Sequence, residues 1–273
     1  MKLQDALEIV AQTDSGMVRA HNEDSVAVDA ACGLVVLADG MGGYNAGEVA
    51  SAIAVKVVLD EVGQPLKTGR PALNAAGDEP GVDLMRLSLH HANSAIYQAA
   101  QQETQYAGMG TTIVSALFYD NRVVVAHVGD SRLYRLRGEV LEAITRDHSL
   151  LQEQIDSGMI SVENARHSRN KNLVTRAVGI DAEVIPEVRH YEVEVGDIYL
   201  LCSDGLNDMV EDEDIQSVLY AMQGNLPLAA TQLIQTANDN GGRDNISVIL
   251  VKVKHEFAQS SGWLSRLLDL FKK

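Results

Sequence analysis

An apolar run, Leu34 to Ala38, drives directly into Asp39-Gly40-Met41-Gly42-Gly43. A buried strand that ends in a carboxylate and a glycine-rich turn presents charge at a cleft. Glycine there lets the backbone turn tightly and approach a bound group. An acidic cluster, Asn22-Glu23-Asp24, lies upstream behind Arg19. Three more turns deliver acids in the same way: Val128-Gly129-Asp130-Ser131-Arg132, Leu200-Leu201-Cys202-Ser203-Asp204-Gly205 and Gly241-Gly242-Arg243-Asp244-Asn245. Any single Asp-Gly can cap its own turn through an Asx hydrogen bond. Five such places in one chain ask for a common cause, and hard divalent cations bound by carboxylate and carbonyl oxygens supply one.

Composition narrows the setting. At 273 residues the chain is one large domain or two small ones. With 46% apolar but only 4% aromatic residues, its core is aliphatic. The formal charge of 22 − 38 = −16 argues against nonspecific binding to nucleic acid or an anionic membrane. Part of that excess is explained if several acids are metal ligands; the rest reads as a solvated acidic surface that favours basic peptide partners. No apolar stretch approaches the roughly 20 residues that span a membrane, and the start of the chain lacks a secretory signal. A cytoplasmic protein is expected. Cys32 and Cys202 are too few for a disulfide framework, have no CxxC spacing, and read as buried free thiols.

Along the chain, residues 8–13, 25–30 and 33–39 read as strands. Helical spacing follows from Tyr44 to Val62, with Val49, Ile53, Val57 and Val58 on one face. Residues 64–81, with three of the five prolines, read as a surface loop. A second helix is expected from Val82 to Gln102, burying Leu84, Leu87, Leu89 and Ile96. Residues 111–119 and 122–128 form a hairpin pattern around Asp120-Asn121, and residues 132–136 and 140–144 form another. A short helix is expected near 150–157. Strands 187–195 and 197–203 are expected to pair across Gly196-Asp197. Helices near 212–222 and 227–239 precede a last strand, 245–254. Blocks of strands and of helices, rather than strict alternation, favour an α+β fold with antiparallel sheets.

Taken in order, Arg19-x-x-Asn22-Glu23-Asp24, Asp39-Gly40-Met41-Gly42-Gly43, Gly110-Thr111-Thr112, Gly129-Asp130-Ser131-Arg132, Asp147-His148-Ser149, Ser203-Asp204-Gly205-Leu206 and Arg243-Asp244-Asn245 resemble the motifs of the PPM/PP2C family of metal-dependent protein Ser/Thr phosphatases. The bacterial form is the nearer likeness, and it covers about residues 8 to 253. Each motif alone is weak; the ordered set is specific. The resemblance implies a four-layer αββα sandwich, two mostly antiparallel sheets flanked by helix pairs. It makes residues 1–254 the phosphatase domain, with a variable flap at about 149–180, and leaves 255–273 as a C-terminal amphipathic tail.

For the chemistry, two cations about 3.5–4 Å apart can hold a bridging water and lower its pKa toward neutrality while offsetting charge at phosphorus. Asp39 is the bridging candidate, because its flanking glycines free the Gly40 carbonyl to act as a further ligand. By resemblance, Glu23, Asp39 and Gly40 serve one Mn²⁺ or Mg²⁺, and Asp39, Asp204 and Asp244 serve the other. Asp24 would act through water or from behind the direct ligands. Asp130, with Asp204, would hold a third, weaker ion; alternatively it only organises its turn and pairs with Arg132. Arg19 suits bidentate phosphate binding, against the alternative of an ion pair with Glu23 or Asp24. Thr112 and Asn245 would support the ligands, and His148 reads as structural. Met41 stands where eukaryotic members carry a histidine proposed as general acid, so the proton donor to the leaving oxygen is open. No serine sits in GxSxG, and no His pair has HxH or HExxH spacing. The expected function is dephosphorylation of phosphoserine and phosphothreonine in proteins, opposing a bacterial Ser/Thr kinase. The rivals are a binding-only relative and a hydrolase whose substrate is a small phosphomonoester or a regulatory anti-sigma-type antagonist. The tail's apolar face, Trp263, Leu264, Leu267, Leu268 and Phe271, would pack on the domain or dock a partner, with a membrane surface ranked last.

Overall fold

The structure is a computed structural model and describes residues 2–43, 46–67, 80–161, 164 and 173–258. Eleven strands and seven helices are named within those residues. The helices are α1 (Leu3–Ala6), α2 (Ala46–Lys67), α3 (Pro80–Gln102), α4 (Leu150–Asp156), α5 (Asp204–Asn207), α6 (Asp212–Ala221) and α7 (Leu226–Asp239). The strands are β1 (Leu7–Asp14), β2 (Asp24–Asp29), β3 (Leu34–Met41), β4 (Gly110–Thr111), β5 (Ile113–Tyr119), β6 (Arg122–Val128), β7 (Arg132–Arg137), β8 (Val140–Ala143), β9 (Glu187–Glu192), β10 (Ile198–Cys202) and β11 (Ile246–Val253).

One sheet runs β1-β11-β10-β7-β8 and the other β2-β3-β5-β6-β9, with β4 added to the end of β3. Every named pairing is antiparallel. The expected four layers are present because successive strand residues point to opposite faces. Leu34, Val36 and Ala38 of β3 pack with Ile113 and Leu117 under α2 and α3. Val35 and Leu37 point the other way and meet Tyr199, Leu201, Ile249 and Val251 between the sheets. Leu200, Cys202, Val248 and Leu250 lie under α6 and α7. Both cysteines are free and buried, as expected.

Several elements differ from the sequence reading. The deepest stripe of α2 is Ala46, Ala50, Ala54 and Val58, each at most 1% exposed; Val49, Ile53 and Val57 are half-buried beside it. Small side chains at that spacing let the helix lie close on the sheet. The helix also runs on to Lys67, so residues 64–67 are not loop, and 68–79 lie outside the described residues. Leu87 is 41% exposed, because α3 buries Met85, Leu89, Ala92 and Ile96 at i, i+4, i+7 and i+11 instead. The expected strand 111–119 breaks at Thr112, between β4 and β5.

The largest correction concerns strands 187–195 and 197–203, which do not pair with each other. β9 is an edge strand on β6, while β10 lies between β7 and β11 in the opposite sheet. All five residues of β10 are buried, so it takes the centre of a sheet. β9 is half-exposed along its length, which suits an edge. The hairpin at 119–122 does follow expectation. Asp120 and Asn121 both have positive φ, 49° and 54°, the left-handed pair of a two-residue hairpin turn whose twist matches its strands.

A candidate metal centre between the sheets

Alternation along the strands carries the acids into one place. Asp39 follows Val35 and Leu37 on the face of β3 that looks into the gap between the sheets. Asp24 is its direct partner across the β2–β3 ladder. Two carboxylates directly opposite each other disfavour ionising together, so the pair calls for a proton or a cation between them. From the other sheet, Asp204 enters at the first turn of α5, just beyond β10, and Asp244 stands just before β11. Asp130 arrives on the turn from β6 to β7 and is 6% exposed.

Close backbone approach sets these positions. A Cβ on Gly40 would lie 2.1 Å from the Gly47 carbonyl oxygen, and one on Gly47 would lie 2.9 Å from the Glu23 carboxylate. Gly40 therefore serves to admit the start of α2, a role the sequence reading did not give it, and Gly47 escaped notice because it lies in no acidic turn. A Cβ on Gly205 would lie 2.0 Å from the Asn245 carbonyl oxygen, which explains the glycine after Asp204.

Hydrogen bonds hold the cluster's rim. Asn245 accepts from the Glu23 N–H at 2.8 Å and donates to the carbonyls of Ser15 and His21 at 3.1 and 2.9 Å. It thereby ties the Arg19–Asp24 loop to β11. Ser203 Oγ donates to Asp24 Oδ2 at 2.8 Å, linking β10 to β2 across the gap, a contact that no spacing in the sequence indicates. The Thr112 N–H donates to the Asp39 carbonyl at 2.8 Å, and its hydroxyl lies 2.7 Å from Ser131 Oγ. Arg19 Nη2 donates to Asp244 Oδ2 at 2.6 Å, so its partner is neither Glu23 nor Asp24. Arg132 does not pair with Asp130: its guanidinium takes both oxygens of Asp147 and the Tyr134 hydroxyl.

The electrostatics follow. Burial, then the facing carboxylates of Asp24, Asp204, Asp130 and Asp244, push Asp39 well above the ordinary carboxylate range. Burial, then Asp130, Asp208, Asp244 and Asp24, do the same to Asp204. Burial raises Asp24 to about 6. Burial, then Asp147, raises Asp130 to about 7, and Glu23 is raised by burial. Asp24 Oδ1 and Asp204 Oδ1 are buried without a hydrogen-bond partner. Oxygen donors that repel one another and keep lone pairs unpaired fit hard divalent cations. A cavity of about 520 Å³ opens beside Asp130 and Asp204 and extends past Asp147, Gln152, Asn207 and Asp212.

A second group of ligand-type side chains, His127, His148 and Glu187, is unlike this centre. The two imidazoles are stacked 4.7 Å apart, inclined by 19°, so an ion in the plane of one ring lies out of the plane of the other. His127 Nε2 faces the Arg146 carbonyl and His148 Nδ1 faces the Gly129 N–H. Each neutral ring has a single lone pair, and that of His148 is already taken. These residues serve packing and hydrogen bonding.

The fold and the carboxylate centre define an αββα sandwich built around a site for hard cations. The Protein phosphatase 2C family model matches residues 17–247, and the chain belongs to that family. It is 40% identical over 252 residues to the serine/threonine protein phosphatase PstP of Mycobacterium tuberculosis, a match that covers 90% of this chain and 45% of PstP. The chain thus spans about half the length of that relative. It is 38% identical over 244 residues to the serine/threonine phosphatase stp of Listeria monocytogenes, covering 88% of this chain and 94% of the relative. The crystal structure of the PstP catalytic domain in complex with two manganese ions superposes with a TM-score of 0.78 at 38% identity, over 91% of this chain and 99% of that one.

Proposed function

We propose that the chain is a metal-dependent phosphatase for phosphoserine and phosphothreonine in proteins. The observation that carries this reading is the convergence of Asp24, Asp39, Asp130, Asp204 and Asp244 from both sheets, with two buried oxygens left unpaired. Glu23, Asp39 and the Gly40 carbonyl would hold one Mn²⁺ or Mg²⁺, and Asp39, Asp204 and Asp244 the other. Asp24, tied to Ser203, would act through water, and Asp130 with Asp204 would hold a third, weaker ion. Bound cations of this kind acidify a water and offset the charge of a phosphate under attack.

The chain's own residues bind and orient. Arg19 is half-exposed and spends one nitrogen on Asp244; its remaining donors are free to engage phosphate oxygens at the mouth of the centre. Asn245 and Thr112 hold the backbone of Glu23 and Asp39. Met41 cannot donate a proton, so the leaving oxygen takes its proton from another group. The cavity beside Asp130 is lined by Asp208, Glu211, Asp212 and Glu213 together with Arg132 and Arg146, a wall in which acids outnumber bases.

A Ser/Thr kinase and its substrates are the natural counterparts, in the cytoplasm. Among the described residues no helix is long and apolar enough to cross a membrane. The tail expected to pack on the domain or dock a partner begins at 255, and 259–273 lie outside the described residues. The test is phosphate release from a phosphothreonine peptide with Mn²⁺ and then with EDTA. Metal-dependent release is expected. No release from a chain that binds Mn²⁺ by calorimetry would favour a binding-only relative.

A further inference from the structure

Asp130 reaches the metal centre on a turn whose two flanks are gripped by side chains outside the carboxylate cluster. On one flank, Ser131 Oγ meets the Thr112 hydroxyl that sits beside Asp39. On the other, His148 takes Gly129 at two points. Its backbone N–H donates to the Gly129 carbonyl at 2.9 Å, and its Nδ1 accepts from the Gly129 N–H at 3.2 Å. Gly129 has little room to move: its φ is +108°, and a Cβ there would lie 2.6 Å from Thr112 Cβ.

His148 is itself fixed. It is 6% exposed and stacked on His127, whose Nε2 donates to the Arg146 carbonyl at 2.9 Å. Its carbonyl accepts from the Thr175 N–H at 2.8 Å, its Nε2–H faces Glu187 Oε2 at 3.8 Å, and Ser149 bridges to Val174. The returning end of the expected flap and the turn that bears Asp130 therefore meet on one residue.

We infer that His148 is a positioning residue for Asp130: its Nδ1 lone pair holds the Gly129 amide, and so sets the direction in which the next carboxylate faces Asp204. The inference rests on the reading of Asp130 as holder of the weakest ion. It differs from a packing role because it depends on one nitrogen of the ring. An Asn at 148 can place its Oδ1 near the Nδ1 position, whereas a Gln places its polar end near Nε2.

The test combines Mn²⁺ titration calorimetry with amide hydrogen exchange at Gly129 in the full chain, for His148→Ala, His148→Gln, His148→Asn and Asp130→Ala. His148→Ala and His148→Gln should each speed Gly129 exchange and weaken the weakest Mn²⁺ step about tenfold, as loss of an orienting partner does elsewhere. His148→Asn should restore both to within about twofold of wild type. Asp130→Ala should remove the weakest step. Unchanged Gly129 exchange in His148→Gln, or rescue by Gln and not Asn, would overturn the inference. If Asp130→Ala leaves every Mn²⁺ step intact while Gly129 exchange still depends on His148, the reading of Asp130 fails and the grip on Gly129 stands. If His148→Ala does not fold, the Asn and Gln variants decide between themselves.

Discussion

The strand β10 has an aspartate beyond each end, and the two sit in opposite circumstances. At its start, Asp197 is 1% exposed and fully matched. Arg137 donates to both of its oxygens at 2.8 and 2.7 Å, the Glu194 N–H adds 2.9 Å and the Tyr199 hydroxyl 3.1 Å. At its end, Asp204 faces Asp130, Asp208, Asp244 and Asp24 and keeps one oxygen unpaired. A buried acid with a bidentate arginine is a finished structural joint. Buried acids that face one another, with an oxygen left unpaired, are what support the proposed cation site. The difference separates a residue that holds the fold from one that the fold holds in readiness.

Four substitutions or conditions would break or sharpen that contrast. The largest effect is expected from Asp39→Asn, which should lower kcat by at least about 10³-fold, or about 4 kcal/mol of transition-state stabilisation. Circular dichroism should show the fold retained. Near-normal turnover in that variant would remove Asp39 from the centre.

Asp197→Asn should do the reverse. It should destabilise the chain by about 2–3 kcal/mol in urea, because Arg137 loses its paired acceptor, while kcat per folded molecule stays unchanged. Equal stability would mean that the β10 ends do not differ as argued.

The third test is pH dependence without metal. Asp130 binds its proton more tightly in the folded chain, at about 7 against an ordinary 3.8. The folded state therefore carries the extra proton, and this contribution to stability is full below the ordinary value and lost as pH rises through about 7. Asp130→Asn should stabilise the metal-free chain more at about pH 8 than at about pH 5. Added Mn²⁺ should reverse the preference at the higher pH. A gain that is the same at both pH values would contradict the burial of an ionising carboxylate there.

The smallest effect on stability should come from Arg19→Ala. Its pair with Asp244 is half-exposed on the arginine side, so the loss should be under about 1 kcal/mol. The KM for a phosphopeptide should rise about tenfold, as expected for a lost charged hydrogen bond. An unchanged KM and kcat would take Arg19 out of the site.

Much of this molecule was legible from local pattern. The run into Asp39-Gly40, the hairpin turn at Asp120-Asn121 and the acids that close several strands all follow from alternation and turn chemistry, which act over a few residues. The ordered motifs carried the fold and its two sheets. What the pattern could not carry was partnership at a distance. Whether β9 pairs with β10 depends on which neighbours bury β10 on both sides, and Leu87 is exposed because a neighbouring stripe of α3 packs better.

The sequence by itself determined which residues bear charge at strand ends and that those strands are antiparallel. Only the tertiary structure decided that Arg19 meets Asp244, 225 residues away, that Gly47 makes room for Glu23, that Ser203 holds Asp24 of the opposite sheet, and that the support expected of Asn245 falls on the Glu23 amide. Each of those joins two segments far apart in the chain. No spacing records such a contact, because it exists only after the two sheets have closed on their shared aliphatic core.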